Sequence, residues 1–269
     1  MLIKRILAAI VLLPIGLIVI FLGGVPLAAL IAVTLGFAAT EYANLFRKGG
    51  HQPASGLILF GVLLLVAERF FDEFNSAPWC LTLILLVTVT YHLIAYEKGR
   101  EQAGTDFAIT ISGILYIGWL GSYMLSLRAL PDGEWWFLIV LPVVWLADTG
   151  AYLVGKRFGT HKLSPRLSPK KTWEGYLAGV ISGVIGGILL TIIWNLMGAE
   201  LTLFEGGFIG YILSVFTPLG DLGESMFKRQ FGVKDSGDLI PGHGGAFDRI
   251  DSWLWAAPIG YYLIIHMLM

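Results

Sequence analysis

Long apolar runs separated by short polar stretches set the pattern of this chain. The runs are continuous and about 18–23 residues long, the length a helix needs to cross ~30 Å of hydrocarbon. They predict nine helices, at roughly 6–23, 25–46, 56–71, 78–96, 107–128, 134–155, 172–197, 206–227 and 250–268, of which the third is short for a full crossing. A membrane β-barrel would instead show short segments of alternating polarity. Inside lipid, helices and closed barrels alone satisfy their own backbone. The expected fold class is therefore all-α, a polytopic integral membrane protein with about nine transmembrane helices.

Composition agrees and removes the soluble alternative. Of 269 residues, 56 % are hydrophobic and 14 % charged, with a mean hydropathy of +0.76. The net charge of −1 points to no partner. The single cysteine, Cys80, excludes an intrachain disulfide and a cysteine-based zinc site, and reads as a small core residue. Lys4 and Arg5 precede the first run, and Leu27-Ala28-Ala29 resembles a processing site. That run is long, holds Pro14 and leads straight into another span, so it reads as a retained helix.

Charge placement gives orientation. Apart from Arg69 and Arg128, every Lys and Arg lies at the N-terminus or in alternate loops, near 47–55, 97–106, 156–171 and 228–249. The positive-inside rule makes that side cytoplasmic, with the C-terminus outside. In a bacterial setting this is the inner membrane. Residues 1–130 read as chemically quiet transmembrane helices, and 131–269 as a catalytic region carrying the loops 156–171 and 228–249. In the quiet part, Glu41 near a cytoplasmic helix end reads as reaching water or pairing with a loop cation. Glu68-Arg69 and the external pair Asp72-Glu73 are its other charges. Gly179, Gly183, Gly186 and Gly187 in the seventh span are spaced to let helices approach closely.

Two charged clusters break the apolar pattern. The larger runs from Asp221 to Asp251, between two apolar segments, where ionisable groups are costly and a functional site is the default reading. On a helix Asp221 and Glu224 share a face, continued by Ser225 and Lys228, and Asp248 and Asp251 repeat the same spacing. Two carboxylate pairs make a hard-oxygen site suited to Mg²⁺. Lys228, Arg229 and Arg249 can neutralise phosphate oxygens, arginine in bidentate fashion. Gly242, Gly244 and Gly245 around His243 permit close backbone approach to a ligand. A network of ion pairs tying helix ends together would also gather these charges, but it leaves the glycines unexplained.

The smaller cluster follows the sixth span. Asp148 and Tyr152 share a helix face, with Lys156 one turn further on. His161, Lys162, Arg166, Lys170 and Lys171 lie in the loop, and Glu174 opens the next helix. Ser168-Pro169 reads as a turn or helix start and Thr172 as an N-cap without a capping-box partner. A basic loop that fixes topology and touches anionic lipid is the plainer alternative.

The residues Ser225-Met226-Phe227-Lys228-Arg229, Lys234-Asp235-Ser236-Gly237, Pro241-Gly242-His243-Gly244-Gly245 and Asp248-Arg249-Ile250-Asp251 resemble the phosphatidate cytidylyltransferase (CDP-diacylglycerol synthase) family signature. Asp148-Thr149-Gly150-Ala151-Tyr152 and Leu167 through Gly175 resemble it too. Ala246 stands where the pattern usually has a larger apolar residue. The resemblance is strong over the C-terminal half and covers the N-terminal half only in its multi-span character.

It implies that CTP and phosphatidate give CDP-diacylglycerol and pyrophosphate, with Mg²⁺ and a second cation, K⁺ for instance. It implies a helical membrane fold, often a homodimer, working on membrane lipid with no nucleic acid. Metal falls to Asp221 and Asp248, with Asp251 supporting them or binding the second ion. Lys228, Arg229 and Arg249 hold phosphates, and His243 takes the departing pyrophosphate or the lipid phosphate. Asp148, Lys170, Lys171, Ser225, Gly244 and Gly245 position substrate, the two lysines from the cytoplasmic mouth. A CDP-alcohol phosphotransferase would need a D-G-x₂-A-R core, which is absent, and an ion-coupled transporter would carry its carboxylates near the midplane.

Overall fold

The computed structural model of the chain describes residues 14–73, 75–237 and 244–268. Residues 6–13 of the first predicted span lie outside them, as do Asp238, Gly242 and His243. The described residues are helical almost throughout: α1 (Gly24–Lys48), α2 (Ser55–Asp72), α3 (Ala77–Glu97), α4 (Ala103–Ala129), α5 (Gly133–Phe158), α6 (Trp173–Asn195), α7 (Leu203–Phe216), α8 (Pro218–Gln230), α9 (Phe247–Ile250) and α10 (Trp253–Leu263). Residues 14–22 are helical as well.

Among the described residues, six stretches are long and apolar enough to cross a membrane: α1, α3, α4, α5, α6, and α7 with α8 taken together. The chain is an all-α, multi-pass membrane protein. The other predicted spans fare differently. α2 is a helix, but Glu68, Arg69 and Asp72 crowd its last turns. α10 has 11 residues and continues as a π-helical turn, Ile264–Leu268. The predicted span 206–227 breaks at Thr217, because Pro218 has no N–H to continue the ladder and starts α8 instead.

The chain divides into two compact units, residues 1–126 with 227–250, and residues 127–226 with 251–269. In the first, α1 packs along α2, and α2 along a π-helical turn of α4 at Ile114–Trp119. On α3, Cys80, Ile84, Thr88 and His92 are buried at four-residue intervals, and Cys80 is the core residue its sequence suggests. Asp106 fastens the polar connections. It accepts from Arg100 Nε (2.7 Å) and from the Gln52 backbone N–H (2.8 Å), while Thr110 Oγ1 accepts from the Ala54 N–H (3.0 Å). These bonds give two loops of high backbone polarity internal partners.

The second unit is built on α5, α6 and α7. Helix α6 has two unlike faces. Gly175, Gly179, Gly183, Gly186, Gly187 and Thr191 are buried, whereas Leu177, Ile181, Ile185 and Leu189 are exposed. The apolar face suits lipid and the small face suits another backbone, as association without a hydrophobic drive requires. At the α6–α7 seam a Cβ on Gly187 would overlap the Gly206 carbonyl, and one on Gly210 the Gly183 carbonyl. The spacing of small residues is thus spent on backbone contact. Trp145 packs against Trp253 with centroids 4.9 Å apart and ring planes tilted by 33°, fixing the start of α10 against α5.

Candidate active site

The loop after α5 is not irregular. It folds into a two-stranded antiparallel hairpin, β1 (Lys162–Ser164) and β2 (Ser168–Thr172), closed by Trp173 N–H donating to the His161 carbonyl at 2.9 Å. Glu174 clamps its base, accepting from Thr160 Oγ1 (2.7 Å) and lying 2.6 Å from His161 Nδ1. Thr172 is the N-cap of α6, as expected, and accepts from the Gly175 N–H at 3.2 Å. A Cβ on Gly175 would press on the Ala151 carbonyl at 2.7 Å, so α5 and α6 cross closely there.

That crossing frames a cavity of about 650 Å³ within the second unit. Asp148, Lys156, Lys162, Lys170, Lys171 and Asp221 line it. Its volume lies in the range of small-molecule sites. Lys171 Nζ sits 2.5 Å from Asp221 Oδ2, both side chains about one-third exposed (28 % and 35 %). The fold therefore joins the smaller cluster to Asp221, the first residue of the larger one. Lys171 is half-buried and contacts that carboxylate, while Lys170 is exposed. Asp148 is exposed to the cavity. Asp251 accepts from the Ser252 N–H at 2.7 Å, and its carbonyl lies against Gly220, next to Asp221. Ser225 is buried in α8.

In the first unit Asp248 is the centre of a compact polar node. Its Oδ1 pairs with Lys228 Nζ at 2.6 Å, both side chains largely buried. Its Oδ2 accepts from Ser236 N–H (3.0 Å), Ser236 Oγ (3.0 Å) and Gly245 N–H (2.9 Å). Gly244 takes the left-handed conformation (φ +88°), which opens the turn into that donor. Arg229 and Arg249 are exposed, and Arg229 Nη1 donates to the Val233 carbonyl at 3.3 Å. Glu41 joins the node from α1: it is buried and bonded to Ser236, Ala246 and Phe247, and among the described residues it pairs with no loop cation, contrary to the expectation for a helix-end carboxylate.

Among the described residues no group of three or more His, Cys, Asp or Glu stands ready to hold a metal ion. The chemistry of the cavity nevertheless fits a divalent cation carried with phosphate. Asp148 and Asp221 present hard oxygens to one space that four lysines also face. Mg²⁺ is usually held by one or two carboxylates with water and substrate phosphates completing its shell.

A family model described as the cytidylyltransferase family matches residues 3–267. The chain belongs to the cytidylyltransferase family. Membership agrees with the resemblance read from the signature residues, and makes the chain an enzyme that transfers a nucleotidyl group. Among relatives of this family, the phosphatidate cytidylyltransferase of Pseudomonas aeruginosa is 38 % identical over 96 % of this chain and 95 % of its own length. That of Synechocystis sp. is 33 % identical over 98 % and 97 %. That of Staphylococcus saprophyticus is 35 % identical over 77 % of each chain. The family match extends through the N-terminal half, where the signature residues are absent and the helices alone carried the likeness.

Proposed function

We propose that this cytidylyltransferase makes CDP-diacylglycerol and pyrophosphate from CTP and phosphatidate, serving phospholipid synthesis. The observation that carries the reading is the cavity lined by four lysines and two aspartates in a chain whose family transfers cytidylyl groups. A phosphatidate oxygen attacks the α-phosphorus of CTP. One P–O bond forms there as the bond to the bridging oxygen breaks, and pyrophosphate leaves with that electron pair. The attacking phosphate is already ionised near neutral pH, so no strong general base is needed. The protein's contribution is alignment and stabilisation of spreading negative charge.

Lys156, Lys162, Lys170 and Lys171 receive the triphosphate in the cavity, with Asp148 orienting it. Lys228, Arg229 and Arg249 hold phosphate oxygens, Ser225, Gly244 and Gly245 position substrate, and His243 takes the pyrophosphate or the lipid phosphate. Asp221, Asp248 and Asp251 keep the metal assignment that the signature implies, with K⁺ as a second cation. Bound Mg²⁺ would neutralise phosphate charge and polarise the reacting phosphorus. A homodimer belongs to the same reading. The test is direct: purified protein in detergent, given labelled CTP, phosphatidate and Mg²⁺, is expected to form a lipid-extractable cytidine nucleotide. Label that stays in the aqueous phase overturns the proposal.

Orientation belongs to this proposal because CTP is cytoplasmic. With Cys80 replaced, a cysteine at exposed Pro165 in the hairpin is expected to be shielded from an impermeant thiol reagent in intact cells. A cysteine at exposed Glu200 is expected to react. The reverse labelling pattern would reverse the topology.

A further inference from the structure

Glu41 belongs to neither charged cluster, and nothing in the reaction described so far uses it. The residue is 9 % exposed. The hydrogen bonds it accepts come from a segment about 200 residues away, one from Ser236 Oγ to Oε2 (3.0 Å), one from Phe247 N–H to Oε2 (2.9 Å) and one from Ala246 N–H to Oε1 (3.0 Å). Ala246 and Phe247 open the turn that carries Asp248, where backbone N–H groups have no partner inside the helix. Ser236 Oγ also lies 3.0 Å from Asp248 Oδ2. One hydroxyl, with a single proton to donate, therefore links the two carboxylates.

Two glycines of the signature are explained by the same carboxylate. A Cβ on Gly245 would overlap Glu41 Oε2 and Ser236 Oγ, and one on Gly237 would meet Glu41 Oε1. Only a backbone without side chains can wrap Glu41 this closely. The helix that presents it is held by Tyr42, buried and edge-on to Phe227 and Phe247 at 5.8 and 6.1 Å. Lys228, which pairs with Asp248, follows Phe227 directly.

We propose that Glu41 is the positioning residue of the Asp248 node. Its carboxylate gathers Ser236, Ala246 and Phe247 so that Asp248 meets Lys228 in one fixed geometry, and it acts on turnover through Asp248 without touching substrate. This rests on the reading above that Asp248 and Lys228 serve the reaction.

The test is Glu41→Gln in the full chain, purified in detergent and read in two ways. An amide of the same shape replaces one accepting carboxylate oxygen with an NH₂, which sets a donor against the Ser236 hydroxyl or a backbone N–H. Hydrogen exchange is expected to show the Ala246 and Phe247 amides losing protection while helix α6 keeps its own. The kcat is expected to fall about 100-fold, as misplacement of a reacting group does, while KM for CTP and phosphatidate stays within about threefold. In a Glu41→Gln/Asp248→Asn double variant the loss is expected to be no greater than for Asp248→Asn alone. Unchanged exchange at residues 246–247, or losses that multiply in the double variant, overturn the proposal.

If Glu41→Gln does not fold, Ser236→Ala cuts the link and leaves both carboxylates. Its kcat is expected to fall about tenfold, the value of one hydrogen bond at the upper end, and an unchanged kcat overturns the proposal. A chain that makes no lipid-linked nucleotide fails the functional reading instead, and the exchange measurement still decides the anchoring.

Discussion

Asp248→Asn is expected to leave a folded membrane protein whose turnover is about 10²–10³-fold slower, the loss typical when one preorganised charge contact is removed from a reacting centre. The amide keeps the shape, and its carbonyl oxygen can still accept from the Ser236 and Gly245 N–H groups. What it removes is the negative charge 2.6 Å from Lys228 Nζ. Both side chains are largely buried, so the ammonium loses the Asp248 charge in a poorly solvated place. Breaking such a buried pair costs about 3–5 kcal/mol. An exposed pair would be worth only about 0–1 kcal/mol and would leave the rate nearly untouched. Steady-state kinetics with elution as a single monodisperse peak is the check. A monodisperse variant within a few-fold of the unmodified rate would make Asp248 a structural ion-pair partner and no more.

Lys171→Ala carries the second large effect, and its neighbour provides the comparison. The two lysines are adjacent in β2 and both line the cavity, but Lys171 contacts Asp221 at 2.5 Å while Lys170 is exposed. Removing Lys171 frees Asp221 from its cation and takes a positive charge from the cavity. The expected result is a kcat about 100-fold lower, with a defect that does not shrink as salt is raised. Lys170→Ala is expected to raise KM for CTP instead. That defect should shrink at high salt, because an exposed charge is screened beyond a Debye length of ~8 Å at physiological ionic strength. Kinetics of both variants over a salt series read this directly. Salt-dependent KM defects of equal size in the two would return Lys171 to the mouth of the cavity.

How much of this was legible in the sequence follows from the physics of each feature. Six spans among the described residues were readable because a helix in lipid must be continuously apolar, and the glycines of α6 were readable because backbone contact needs small residues at helical spacing. The break at Thr217 had a signal, Pro218, that the apolar run on either side masked. The hairpin 162–172 had none: its strands are three and five residues long, and Ser168-Pro169 is equally good turn chemistry. Thr202 and Glu205 form a capping box that was written plainly in the chain and marks the start of α7.

The site divides the same way. Asp148, Lys170, Lys171 and Asp221 were picked out by residue type, and the fold brings them to one cavity. Lys228 and Asp248 were picked out as well, and they meet. Their pairing was not readable, because it depends on a turn whose shape is set by Ser236 and the glycines. Glu41 was the hardest residue to place. Its partners are backbone N–H groups far along the chain, and a backbone amide carries no signature in sequence.

The central claim is that this chain moves a cytidylyl group from CTP onto a lipid phosphate. Parallel reactions with CTP labelled at the α- or the γ-phosphorus, each with phosphatidate and purified protein in detergent, test it most directly. The α-label is expected to enter the lipid extract in step with γ-label appearing as pyrophosphate, one for one, and neither is expected to move without phosphatidate. Release of γ-label as pyrophosphate with no α-label in lipid, or γ-label in the lipid itself, would contradict it.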